Sequence, residues 1–322
     1  MKLVTLSEKA AAGDRLSIAR LLTMIESAVP EGLDALDELY PKSGRAHLIG
    51  ITGPSGSGKS TLVNRLALAL AGESSTENKV AIIAVDPTSP FSGGALLGDR
   101  VRMRDLADRP DIFIRSMATR GALGGLARAA GEAALLMDAV GFPYVLIETV
   151  GAGQSEVDIA RLAHTTVVIE APGLGDDVQA GKAGILEIAD ILVVNKSDKT
   201  GADAAAHSLA VMLEIGEELR KEAGDPETLK WKTPILLTSA LNGEGIAALA
   251  DAIRAHHVYL AESGEGEKRT HARALDMLDR LIRERLFETW LKQADPGLYE
   301  QVKKYVVQRQ TSPRKAVNRL LS

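Results

Sequence analysis

Cysteine is absent from this 322-residue chain, which excludes disulfides and thiolate metal sites and fits a reducing compartment. Aromatic residues make up only 3% of it, while hydrophobic residues reach 45%. A sizeable core is therefore available, but Leu, Ile, Val and Ala must build it. Neither sign of charge dominates. The 38 basic and 43 acidic side chains are interspersed, the formal net charge is −5 and the pI is ≈ 5.8, so non-specific nucleic-acid binding has no electrostatic support. Long hydrophobic runs are missing too: Val80–Val85 and Ile191–Val194, among the most apolar stretches, are far too short to span a bilayer. Met1–Asp14 has no apolar segment of the secretory type. The expectation is a cytoplasmic protein with no membrane and no nucleic-acid partner. The six histidines, His47, His164, His207, His256, His257 and His271, show no metal-ligand spacing and read as ordinary surface or core residues.

Three segments follow from the pattern. Residues 1–44 read as a helical extension: Asp14 is placed to cap a helix whose Ile18, Leu21, Leu22 and Ile25 share one face, and Ser43-Gly44 reads as a hinge. Residues 45–262 alternate short apolar runs with helical stretches. The runs are His47–Thr52, Val80–Val85, Ile112–Ser116, Tyr144–Glu148, Thr165–Glu170, Ile191–Val194 and Ile235–Thr238. Most are apolar on both faces, as buried parallel strands are, which predicts a doubly wound, mostly parallel α/β sheet. Residues 263–322 read as a helical tail. Leu275, Leu278, Ile282 and Leu286 form an apolar stripe there, Asp295-Pro296-Gly297 ends the first helix, and Thr311-Ser312-Pro313 starts another. The stripe needs a partner, either the main domain or a second copy.

The chemistry sits at the ends of the apparent strands. Gly53-Pro54-Ser55-Gly56-Ser57-Gly58-Lys59-Ser60, followed by Thr61, matches G-x-x-x-x-G-K-[ST] in full between a strand and a helix. Its backbone N–H groups would converge on phosphate oxygens, Lys59 would reach the β- and γ-phosphates, and Ser60 would ligate Mg²⁺. Asn195-Lys196-Ser197-Asp198 follows another strand. The Asp198 carboxylate can accept two hydrogen bonds from guanine, a donor pattern that adenine lacks. Asn195 would tie this loop to the base and the phosphate loop, and the Lys196 stem would cover the base. After the last strand, Ser239 and Ala240, with Leu241 beside them, would offer a backbone N–H to guanine O6. The pairing predicts a GTPase rather than an ATPase.

Asp86 and Glu148 end strands at the carboxyl edge, where such sheets bind ligands, and are candidate Mg²⁺ ligands. Asp99, in the Gly93–Arg100 loop, could approach the metal or the attacking water. Glu148-Thr149-Val150-Gly151 has the D-x-x-G form with Glu for Asp, and Gly151 could offer its N–H to the γ-phosphate. No Gln follows Gly151 directly, so the attacking water is poorly oriented and hydrolysis should be slow without a partner. A scaffold that binds GTP and barely hydrolyses it is a further reading.

Together these segments resemble the methylmalonyl-CoA mutase-associated GTPases, the MeaB/ArgK group. The likeness runs through Gly13-Asp14-Arg15, Gly53–Thr61, Val85–Pro90, Gly98–Met103, Glu148–Glu156, Pro172–Gln179 and Asn195–Asp198 and covers nearly the whole chain. The resemblance implies a homodimeric chaperone that uses GTP to gate adenosylcobalamin delivery to an acyl-CoA mutase and to help remove damaged cofactor. It also implies a third switch at Pro172–Gly184 in which Lys182 couples mutase binding to hydrolysis, although Ala180–Gly184 is less basic than the family pattern. The catalytic set implied is then Lys59, Asp99, Glu148 and Lys182. Related nickel-delivery GTPases depend on Cys/His clusters that are missing here. A transport-associated ATPase or kinase, the other alternative, would prefer ATP, against Asp198.

Overall fold

The computed structural model describes residues 5–72, 78–86, 106, 108–118, 125–149, 155–173, 184, 186–222 and 231–321. Seven strands form one all-parallel sheet: β1 (His47–Thr52), β2 (Val80–Asp86), β3 (Ile112–Ala118), β4 (Tyr144–Glu148), β5 (Thr165–Glu170), β6 (Ile191–Asn195) and β7 (Ile235–Thr238). Their order across the sheet is β3-β2-β4-β1-β5-β6-β7. The strands found are those the apolar runs predict, with β2, β3 and β6 each running one or two residues further. Because β1 lies between β4 and β5, the sheet winds in both directions from its centre, and the carboxyl ends of all seven strands share one edge.

Alternate residues of each central strand enter opposite layers. Ile49, Ile51, Val167, Ile169, Ile191 and Val193 pack against α4 (Lys59–Ala71) and α8 (Ile246–Ser263). On the other face, Leu48, Val145 and Ile147 meet α5 (Gly125–Ala139) and α6 (Ser155–Leu162), and Val168, Leu192 and Val194 meet α7 (Ala202–Glu222). The scarcity of aromatics is offset by small residues: Ala129, Ala130, Ala133 and Ala134 give α5 a smooth side that lies close to the sheet.

The helices α1 (Leu6–Ala11), α2 (Arg15–Glu26) and α3 (Pro30–Leu39) belong to the same compact unit as the sheet, which runs to Thr270. Asp14 caps α2 by accepting from the Ser17 amide at 2.8 Å, and Ile18, Leu21, Leu22 and Ile25 are fully buried. Arg15 donates to the carbonyls of Pro110 and Ile112, and Glu26 pairs with Arg115 of β3. Ser43-Gly44 is not a loose hinge: the buried Asp138 carboxylate accepts the successive amides of Gly44, Arg45 and Ala46. A second unit spans His271–Ser322. It contains most of α9 (Glu265–Gln293), together with α10 (Pro296–Val307) and α11 (Pro313–Leu321). Asp295 caps α10, and Leu275, Leu278, Ile282 and Leu286 are exposed.

At the amino edge of the sheet the histidines do something their spacing does not show. His47 and His256 share the hydroxyl of Thr165, at 2.6 and 2.7 Å, and His257 stacks on His47 with centroids 4.3 Å apart. Asp190, just before β6, accepts both NH groups of Arg269 and the Thr166 amide, and lies 3.4 Å from His256. Burial lowers the His256 pKa to about 4 despite Asp190, and burial with three neighbouring imidazoles holds His47 well below the usual imidazole value.

Both rings are therefore neutral in the folded protein, and the unfolded chain binds more protons between pH 6.5 and about 4. Folding stability should fall as pH drops through that window. The His256 shift alone corresponds to about 3 kcal/mol. Urea unfolding at about pH 7, 5.5 and 4 checks this; the lowered carboxylates Asp14, Asp111 and Asp198 act beneath their ordinary value of 3.8. His256→Gln should flatten the curve in the upper window, and an equally steep variant would exclude His256 as its cause.

Candidate nucleotide site

β1 leads directly into the Gly53–Lys59 loop, and α4 begins at Lys59. Two of the glycines are required sterically. Gly53 has φ 142°, and a Cβ there would lie 2.1 Å from the Ile169 carbonyl of β5. Gly58 has φ 93°, and its Cβ would lie 2.4 Å from Asn195 Nδ2. No side chain fits either position. The buried Lys59 ammonium donates to the carbonyls of Gly53 (2.9 Å) and Pro54 (3.0 Å). A cation is thereby fixed under a turn of amides at a helix N-terminus, the arrangement that binds phosphate.

Beside it, Ser60 Oγ donates to Glu148 Oε1 at 2.6 Å, and both side chains are buried. The sheet register puts Glu148 level with Ile51 of β1 and Ala84 of β2. Asp86 ends β2 two residues beyond that level; its side chain lies outside the described residues. Thr149 follows Glu148 and is anchored to β1 twice: its amide donates to the Ile51 carbonyl, and its hydroxyl to Thr52 Oγ1 at 3.1 Å. Asp99, Gly151 and Lys182 lie outside the described residues, as does most of the expected switch at Pro172–Gly184.

A Mg²⁺ ion fits the Ser60–Glu148 pair. Hydroxyl and carboxylate are hard oxygen donors, and Mg²⁺ usually takes few protein ligands while keeping waters and substrate phosphate oxygens. Among the described residues, no group of three or more His, Cys, Asp or Glu could hold a metal. When bound, Mg²⁺ would neutralise charge on the phosphates.

The base side is organised around Asn195 at the end of β6. Its Nδ2 donates to the Ser57 carbonyl of the phosphate loop at 2.8 Å, and its Oδ1 accepts from the Ala240 amide (3.1 Å) and Thr238 Oγ1 (3.2 Å). Lys196 adopts φ 61° and donates to the Gly56 carbonyl. Ser239 Oγ donates to Asp198 Oδ1 at 2.7 Å, and that bond is the main reason the Asp198 pKa is lowered. The carboxylate therefore stays an acceptor. A cavity of about 210 Å³ opens between Gly58, Thr61, Asn195, Lys196, Asp198, Lys199, Ser239, Ala240 and Leu241. Leu241 is 76% exposed at its rim.

Two details differ from the sequence reading. The amides of Ser239 and Ala240, expected to face guanine O6, are engaged by the Glu244 carbonyl and by Asn195, because the turn after β7 closes on itself. Arg65, on the same helix as Lys59, donates to the carbonyls of Ala240 and Leu241 and so joins the phosphate helix to the base loop. No motif marks Arg65; the one cue is its place on the outer side of α4.

The chain matches the family model described as "Methylmalonyl Co-A mutase-associated GTPase MeaB" over residues 18–295. A Pyrococcus abyssi relative is 41% identical over 316 residues, covering 98% of this chain and 95% of its own. The GTPase ArgK of Escherichia coli is 34% identical over 316 residues, 96% of this chain and 92% of its own. A Caenorhabditis briggsae protein named methylmalonic aciduria type A homolog, mitochondrial, is 35% identical over 274 residues, 80% of this chain and 64% of its own. Among solved structures, one titled LAO/AO transport system kinase superposes with TM-score 0.69 at 26% identity, covering 99% of this chain and 97% of its own.

Asn195→Ala would leave the buried Ser57 carbonyl, Thr238 hydroxyl and Ala240 amide without this partner. Unfolding free energy in the absence of nucleotide should fall by about 3 kcal/mol. Asn195→Asp keeps the acceptor but not the donor and should recover part of the loss. Urea denaturation decides it; wild-type stability in Asn195→Ala would show that the bridge carries no weight in the fold.

Proposed function

The chain belongs to the methylmalonyl-CoA mutase-associated GTPase family, and on that premise we propose that it hydrolyses GTP with Mg²⁺ to gate adenosylcobalamin delivery to an acyl-CoA mutase, such as methylmalonyl-CoA mutase, and to help restore that mutase after damage. The observation that carries the nucleotide half is the Asn195 bridge between Ser57 and Ala240, which holds a phosphate loop and an ionised acceptor for guanine at a fixed separation. In this reading Lys59 holds the β- and γ-phosphates, and Ser60, Glu148, Asp86 and Asp99 surround the metal. Gly151 reports the γ-phosphate, and Asp198 selects guanine. The kinase named among the structural neighbours is a weaker reading, because adenine cannot supply the two donors that Asp198 accepts.

The mutase half rests on the family description and on the name of the Caenorhabditis relative. It further takes the chain to be a cytoplasmic homodimer, with the exposed Leu275, Leu278, Ile282 and Leu286 stripe covered by a second copy. No helix among the described residues is long and apolar enough to cross a membrane.

Asp198→Asn should weaken GTP binding by about 2–4 kcal/mol, roughly 30- to 1,000-fold, and Lys59→Ala should abolish turnover. Calorimetry with GTP and ATP tests the assignment; equal affinity of the wild type for both would exclude it. Turnover should be slow alone and accelerated by the cognate mutase, a tenfold gain requiring only about 1.4 kcal/mol. Lys182→Ala should lose the acceleration and keep the basal rate. A variant stimulated as well as wild type would remove Lys182 from the coupling.

A further inference from the structure

Helix α7 carries two apolar faces, although one sheet can cover only one. Ala202, Ala205, Leu209 and Leu213 close over Val168, Leu192 and Val194. About 100° round the helix lies a second face of Ala204, Ser208, Val211, Met212, Ile215 and Leu219, without a charged residue. Val211, Ile215 and Leu219 are 40%, 51% and 61% exposed. The face runs for about 22 Å, four turns of helix. A contiguous apolar stripe of that length on a surface helix marks an interaction site.

Two observations bear on what covers it. One border of the stripe carries the exposed carboxylates Asp203, Glu214 and Glu218. Two copies of this face would set acid against acid, so the complementary occupant is apolar with a basic border. The amino-terminal end of the stripe also opens into a cavity of about 320 Å³, where Ala204, Ser208 and Met212 face Pro172 and Gly173. Those two residues follow β5, whose Ile169 carbonyl is in close approach to Gly53 of the phosphate loop. An occupant of the cavity therefore bears on chain only a few residues from the phosphate-loop contact.

We propose that this stripe is the face on which the partner mutase docks, through an amphipathic helix of about four turns with basic side chains along one border. The inference rests on the chaperone reading and adds the surface and the chemistry of its partner. The contact couples to the nucleotide through the end of β5 rather than through the base loop.

The test uses the full chain, the Ile215→Glu/Leu219→Glu double variant, and the mutase that co-purifies with wild type. Both positions are solvent-exposed, and Ile215→Ser/Leu219→Ser provides a milder pair should the glutamates disturb folding. The variants should lose mutase stimulation and bind the mutase about tenfold more weakly or worse, with basal turnover, GTP affinity and oligomeric state as in wild type. Glu214→Lys/Glu218→Lys should weaken association and reverse its salt dependence. Wild-type stimulation of the double variants would overturn the docking face and leave the chaperone reading intact. A change of oligomeric state would assign the face to a second copy and overturn it as well. A wild-type chain that neither captures nor responds to a mutase would overturn the chaperone reading, and this inference with it.

Discussion

One buried carboxamide holds the candidate site together. Asn195 uses its donor on the phosphate loop and its acceptor on the turn after β7, so both ends of a single side chain fix the spacing between two recognition loops. Other features follow from it. Gly58 has no side chain because one would strike the Asn195 amide, and Lys196 takes a left-handed backbone so that its own side chain can turn to Gly56. The arrangement needs the ends of β1, β6 and β7 on one edge, which the all-parallel sheet provides.

The opposite edge is tied down by a different kind of network. Asp190 and Arg269 form a two-bond ion pair at the start of β6, and neutral His47 and His256 complete a buried polar layer around Thr165. Strands β5 and β6 are thus fixed at their amino ends by charge-assisted bonds, and β6 is fixed at its carboxyl end by the Asn195 bonds to the nucleotide loops. Between the two edges the packing is aliphatic and small, as a chain with few aromatics requires.

The strands were legible because each is a short run apolar on both faces, and β1, β4, β5 and β7 end where those runs end. The phosphate loop and the Asn195–Asp198 turn were legible because their chemistry is local in sequence. What escaped was assembled by topology. His47, His164, His256 and His257 are far apart or adjacent in ways that signal nothing, and they meet only because strand starts and α8 share an edge. Arg65 reaches the base loop from 175 residues away in sequence, and Asp138 reaches the Ser43-Gly44 turn from 94 residues away. The engaged amides of Ser239 and Ala240 depend on the Ser239–Glu244 closure, which a propensity reading does not register.

The central position of β1 also bears on how the chain is made. Its neighbours begin at Tyr144 and Thr165, and His47 is paired with Tyr144, so the first strand emerges about 100 residues ahead of anything that can pair with it. At ordinary synthesis rates that is a wait of roughly 5–20 s. Throughout it, an apolar strand with two open edges is attached to an equally apolar α4. Closing the middle of the sheet requires long loops to form before any ladder rewards them, which makes folding slow. During that interval an unpaired β1 is open to wrong pairing.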